Sequence, residues 1–296
     1  YMIDTFLVNL FSGVYPYVPR PYSNIPGPFP FYFVLVLPFH LIGEIGYFSI
    51  VGFLLFSIVL RDIFNLSEKK SLLTVMALVL SISFAWEMYA RSTIFANMVV
   101  AILYLYVVEK VKPDTWPRLL LVGLMGGLIL STRSIAAIPI TICICYRFVR
   151  KRDWAKFLIV GGMIAVGFLS TLVPLYLWSP QLFLRYNPLG IQAFFLPKEA
   201  MLTLIIASVF AGAKSSDIFD CFFYSGMLIF VGVGLSFVMS VFRFGWMASM
   251  FENVFDISYF VFPLPFLLFS LYRFEVKSKR MLGNIEADSS RDKRLD

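Results

Sequence analysis

Apolar residues run along this chain in long blocks separated by short polar stretches, and they rarely alternate with polar neighbours. At the start, Ile3, Phe6, Leu7, Leu10 and Phe11 recur at helical spacing and stop at Ser12-Gly13, which predicts a short amphipathic helix on a membrane surface. Prolines at 16, 19, 21, 26, 28 and 30 then forbid a continuous helix, so the next stretch is an ordered loop or a set of turns. Residues 31–42 are apolar, short for a crossing and interrupted by Pro38; they predict a helix lying at the interface. Residues 46–60 form the first crossing. Segments 71–87, 93–108, 119–131, 134–148, 157–178, 201–213, 221–242 and 257–272 follow it, about nine in all. Each block is almost uniformly apolar over roughly 13 to 22 residues, whereas barrel strands would alternate over shorter lengths. The expected fold is all-α, a polytopic transmembrane helical bundle.

Composition strengthens the membrane reading. Of 296 residues, 59% are hydrophobic, 18% aromatic and only 15% charged, with a mean hydropathy of +0.82. The net charge of +7 does not point to nucleic acid, because the basic residues are scattered through short inter-helical loops. Of the 25 Lys and Arg, only Arg20, Arg91, Arg133, Arg185, Lys198 and Arg243 fall on the outer side of the alternating topology, and the excess belongs in the cytoplasm. Residues 1–45 thus become an outer loop with juxtamembrane helices, and 46–273 the bundle. Residues 274–296, dense in mixed charge, are expected to be a disordered cytoplasmic tail. Cys143, Cys145 and Cys221 all lie in apolar segments and read as packing residues. His40 is the only histidine, which excludes a cluster or relay of several. No fixed-period repeat or P-loop is present. The first residue is Tyr1, with no basic-then-apolar signal segment before it, so the chain is expected to be a fragment or processed product that has lost an upstream helix.

Charges that the bilayer penalises are the first candidates for chemistry. Arg133, in Ser131-Thr132-Arg133-Ser134, interrupts an apolar run of roughly thirty residues. It either faces protein, water or an anion, or marks a hairpin tip and snorkels to the headgroups. Arg91 lies four residues after Glu87, and a simple pair on one helix face accounts for both. In the loop 179–200, Arg185, Gln192 and Lys198 suit an interfacial belt as well as a binding site; Lys198 would meet a phosphate or a lipid headgroup. Asp4 is the one acid early in the outer stretch. Its carboxylate would take a proton from an attacking hydroxyl, or cap the helix that follows. His40 and Glu44 carry the same ambiguity.

The opening stretch also resembles a known family. Asp4, an amphipathic helix, Gly13, Pro16-Tyr17, a turn containing Tyr22, Pro28-Phe29 and an apolar run to Gly43 are similar to the first outer loop of the C-type membrane glycosyltransferases, the GT-C superfamily. Ala90-Arg91 followed by Asn97 resembles a family pattern in which an Arg precedes an acid, with Asn97 in the acid's place; Gly126-Gly127 through Thr132-Arg133 resembles a glycine-rich span ending in a basic residue. The family's second acid is missing, since Ile3 and Thr5 flank Asp4. The resemblance implies a polyprenyl-phosphate sugar as donor and an acceptor hydroxyl on a glycan, lipid or protein. Transfer would take place at the outer face with inversion. It implies Asp4 as general base, or as ligand to a divalent metal such as Mg or Mn, and the upstream helix as the family's first span. Arg133, with Arg91, Lys198 or Arg185, would hold the phosphate, while Tyr17, Tyr22, His40, Glu44 and Gln192 would contact donor or acceptor. The expected location is multi-pass in a prokaryotic cell membrane, with the endoplasmic reticulum as the alternative. Two other classes stay open: a transporter or lipid flippase, and a non-catalytic membrane subunit. The apolar segments carry no acid at their centres, which argues against ion-coupled transport.

Overall fold

The computed structural model describes residues 2–21, 25–64, 68–192, 196–252 and 254–271, and every regular element among them is helical. Helices α1 (Met2–Phe11) and α2 (Pro30–Ile42) flank the proline-rich stretch. There follow α3 (Tyr47–Phe64), α4 (Glu68–Val79), α5 (Ile82–Ala90), α6 (Ile94–Val111) and α7 (Trp116–Leu130). A 3-10 turn at Ser134–Ala136 leads into α8 (Ala137–Ile144), which runs on into a π turn at Cys145–Val149. The remainder comprises α9 (Trp154–Trp178), the short α10 (Pro180–Arg185) and α11 (Pro188–Gln192), then α12 (Lys198–Lys214), α13 (Ile218–Phe244) and α14 (Trp246–Phe251). A 3-10 turn at Ile257–Val261 precedes the last helix, α15 (Leu264–Ser270). Tyr22 and the tail 274–296 lie outside the described residues.

Among the described residues α6, α9 and α13 are long and apolar enough to cross a membrane. Two further pairs reach that length only as bent units: α2 with α3, at 115°, and α4 with α5, at 62°. Three to five candidate crossings therefore stand where about nine are expected from hydropathy. The shorter apolar helices explain part of the gap, since α7, with 15 residues, rises about 22 Å against a hydrocarbon core of about 30 Å. Each bend has a local cause. Gly43, left-handed at φ 97°, closes α2, and its N–H is taken by the carbonyls of Phe39 and His40. Segment 71–87 is broken because the Ser81 side chain accepts from the Phe84 N–H and starts a new helix there.

Burial ranks the long helices. Within its spanning window α6 is 61% buried, against 22% for α9 and 33% for α13, so α6 is the central post and the other two form the rim. Phe56, Phe95, Met98, Ile102, Phe222 and Phe269 belong to the large cluster around that post. Phe6, Leu7, Tyr17, Tyr32, Phe33 and Val36 form a second cluster that holds α1 and the proline-rich loop against α2. Within it the rings of Phe6 and Phe33 stack 3.6 Å apart. The described parts of the loop are tied down: Asn9 Nδ2 donates to Val18 O at 2.8 Å and the Tyr17 hydroxyl to Pro28 O at 2.8 Å.

Helices α7 and α9 meet at a glycine seam. A Cβ on Gly127 would fall 2.2 Å from Ile164 O, and one on Gly167 would fall 2.4 Å from Leu124 O. Only glycine lets the two backbones approach this closely. Such approach matters in a bilayer, where packing and not hydrophobicity draws helices together.

Candidate functional site

The seam sets the position of the turn that follows α7. After Leu130 the chain leaves the helix, and Arg133 is fully extended at φ −155° and ψ 143°. Three neighbours pin the turn. Ser131 Oγ lies 2.5 Å from Thr171 Oγ1 on α9, and the Thr132 hydroxyl donates to Asn97 Oδ1 on α6 at 3.2 Å. The proline-rich loop closes the third side, with Phe29 N donating to Thr132 O at 3.1 Å and Phe31 N to Ser131 O at 3.0 Å. The glycine-rich span and the proline-rich loop, which are far apart in the chain, are thus joined next to Arg133.

Arg133 lines a cavity of about 310 Å³. Its walls come from α7, α8, α9, α11, α12 and α13, with Leu130, Ile138, Phe168, Ile191, Leu204 and Val233 typical of them, and from Phe255 before the last 3-10 turn. The polar lining residues are Arg133, Ser134, Gln192, Ser236 and Tyr259, and Arg133 is the one charged side chain in the described wall. Gln192 uses its whole amide to gather the rim. Its Oε1 accepts from Ser134 N at 3.2 Å and Ser134 Oγ at 3.0 Å, and its Nε2 donates to Gly27 O. The hydroxyl of Ser236 is donated to Gly232 O at 2.9 Å, which leaves that wall effectively apolar.

The guanidinium itself lies 5.7 Å from the Tyr32 ring and 5.4 Å from the Phe262 ring, and it faces the Tyr259 hydroxyl. Among the described residues it makes no ion pair, and its Nε is buried with no hydrogen-bond acceptor. An orphaned buried donor costs about 1–3 kcal/mol, more when charged, so an added acceptor at Nε–H would be stabilising, while the guanidinium also meets the Tyr259 hydroxyl.

The other expected site residues are dispersed. Asp4 is in the first turn of α1 and not at its N-cap; His40 Nδ1 lies 3.0 Å from its Oδ1. Neither lines the cavity, and His40 sits ten residues beyond Pro30 on α2, about 15 Å of helical rise from the junction with Arg133. Arg91 does not pair with Glu87. It is left-handed at φ 52°, which ends α5 and turns its side chain off the helix face, and it meets Glu44 at 3.1 Å instead. Arg185 lies 5.4 Å from the Tyr186 ring, and Lys198 opens α12; both are outside the cavity wall. Tyr17 is fully buried with its hydroxyl committed to Pro28, and burial pushes its pKa well up, so it is a strut and not a ligand contact. Burial likewise pushes Tyr15 up to about 12. Cys143, Cys145 and Cys221 are buried free thiols, in keeping with packing. Among the described residues no group of three His, Cys, Asp or Glu side chains gathers as a metal-ligand set.

Sequence reasoning passed over Glu87 as the partner of Arg91. It is fully buried; Oε1 accepts from Phe95 N at 2.7 Å, capping the first turn of α6, while Oε2 has no partner. It lies within electrostatic reach of Arg133. The amide nitrogen of Asn97 is a further buried atom without a partner in the α6 turn beneath. The available signal was an acid inside an apolar segment, which the bilayer tolerates only where protein covers it. Compared with family models, curated proteins and solved structures, the chain matches none.

Proposed function

We propose that the chain is a multi-pass membrane glycosyltransferase that takes its sugar from a polyprenyl-phosphate donor, as its resemblance to the GT-C superfamily implies. One observation carries the reading: an apolar cavity whose single charged lining residue, Arg133, has a buried Nε–H with no acceptor. An apolar chain with an anionic head complements both features. In the reaction, the acceptor hydroxyl attacks the anomeric carbon opposite the phosphate. The new carbon–oxygen bond forms as the bond to phosphate breaks, and the phosphate keeps the electron pair. Arg133 stabilises that charge, and Asp4, beside His40 at the other end of α2, takes the hydroxyl proton once binding of donor and acceptor brings α1 within one sugar's reach of the Arg133 turn.

The test is a reconstituted assay with a panel of radiolabelled polyprenyl-phosphate sugars. Asp4→Asn is expected to abolish transfer and leave donor binding intact, while Arg133→Ala weakens donor binding by about 10- to 100-fold. Turnover retained in Asp4→Asn removes Asp4 from the mechanism. The position of Asp4 outside the cavity favours a second reading, a carrier that moves lipid phosphates without covalent chemistry. Lipid translocation by wild-type protein that never yields a glycosylated product would establish it.

A further inference from the structure

The cavity wall contains one position in a helix body with no side chain. Gly232 lies within α13, twelve residues before its last residue Phe244, or about 18 Å of helical rise from that end. Arg133, by contrast, lies in a turn between helices. The cavity therefore runs from a charged turn to the body of an apolar helix. The same wall includes Met201, Leu204 and Ile205 of α12 and Val233 of α13, and Leu204 is the side chain next to Gly232. A Cβ at Gly232 would meet only Leu204 Cδ1, at 3.0 Å, and nothing else within 4 Å. The neighbour is the mobile end of a side chain, so a larger residue at 232 would stay in place and fill cavity space. The helix would not be forced apart, and leaving glycine would strengthen it.

Resting on the lipid-phosphate reading above, we propose that Gly232 sets the chain-length preference of the site. The absent side chain leaves room for the inner part of a single isoprenyl chain whose phosphate is held at Arg133. A cavity of about 310 Å³ with one cation suits one chain and one phosphate.

The experiment titrates the full chain in lipid nanodiscs with geranyl phosphate and geranylgeranyl phosphate, for wild type, Gly232→Ala, Gly232→Leu and Arg133→Ala. Partitioning of each lipid into the disc is common to all proteins and cancels when the long-to-short affinity ratio is compared. Gly232→Leu, which adds four carbons, should shift that ratio by about tenfold or more against the longer lipid, as the loss of room for at least about two methylenes requires, and leave geranyl phosphate binding unchanged. Gly232→Ala should give a smaller shift in the same direction, which protects the test if the leucine variant fails to assemble. Arg133→Ala should weaken both lipids alike. An unchanged ratio, or equal loss of both lipids in the Gly232 variants, overturns the role of Gly232 and leaves the lipid-phosphate reading standing. Failure of wild-type protein to bind either lipid overturns that reading and this inference together.

Discussion

A single methyl group should act in opposite directions on two faces of the α7–α9 pair. At Gly127 a Cβ would meet Ile164 O at 2.2 Å, Phe168 N at 2.7 Å and Gly167 Cα at 2.8 Å, all of them backbone atoms, whereas ordinary contact begins near 3.4 Å. No rotamer relieves this clash, so the helices must part by about 1 Å at the seam, and neighbouring contacts weaken with them. Overpacking of this kind costs up to about 3 kcal/mol, offset by about 1 kcal/mol gained from replacing glycine by alanine in a helix. Gly127→Ala is therefore expected to destabilise by about 2 kcal/mol. Gly161 on α9 is exposed and has nothing within 4 Å of its Cβ position, so Gly161→Ala should stabilise by about 1 kcal/mol. Both variants would be unfolded in the same detergent and followed by size-exclusion fluorescence over a temperature ramp. Equal shifts, or a stabilised Gly127→Ala, would refute the seam.

Two smaller predictions follow from the polar groups. Glu87→Gln preserves an oxygen for the Phe95 N–H and should fold with little loss, whereas Glu87→Ala leaves that N–H buried and unpaired and should cost about 1–3 kcal/mol in the same melts. Tyr17→Phe removes the bond to Pro28 O; a loss of about 1 kcal/mol is expected, with donor binding unchanged because Tyr17 is not in the cavity wall.

Local pattern carried most of the helices and little of the site. The spacing of Ile3, Phe6, Leu7, Leu10 and Phe11 is enough for α1, because one apolar face and one glycine stop are local properties. The break at Ser81 is not legible from hydropathy, since Leu80 and Ile82 on either side are as apolar as a continuous span requires. Arg133 stands out in sequence because a lone cation in an apolar run is costly wherever it lands. Gln192 and Glu87 acquire their roles only through partners distant in the chain: Gly27 and Ser134 for the first, and the α6 terminus for the second. The Glu87–Arg91 spacing favours a helical pair, but a left-handed residue at 91 ends that helix before the pair can form. Asp4 and Arg133 look like halves of one site in sequence, and α2 holds them at its two ends.

The burial of α6 bears on how the protein is made. Helix α6 leaves the ribosome after α3, its most extensive partner, and before α7, α8 and α15, which complete its cover. Until they follow, one side of α6 is open, and its predominantly apolar surface suits a helix that waits in a membrane. Small residues let protein close on it: Ala96 meets α3 at Gly52, where a Cβ would come within 2.4 Å of it. The hydropathy of α6 thus records its first environment, and its small residues record its last. Substitutions that enlarge Ala96 or Ala101 should therefore stall assembly after insertion, leaving the helix in the membrane but the bundle open around it.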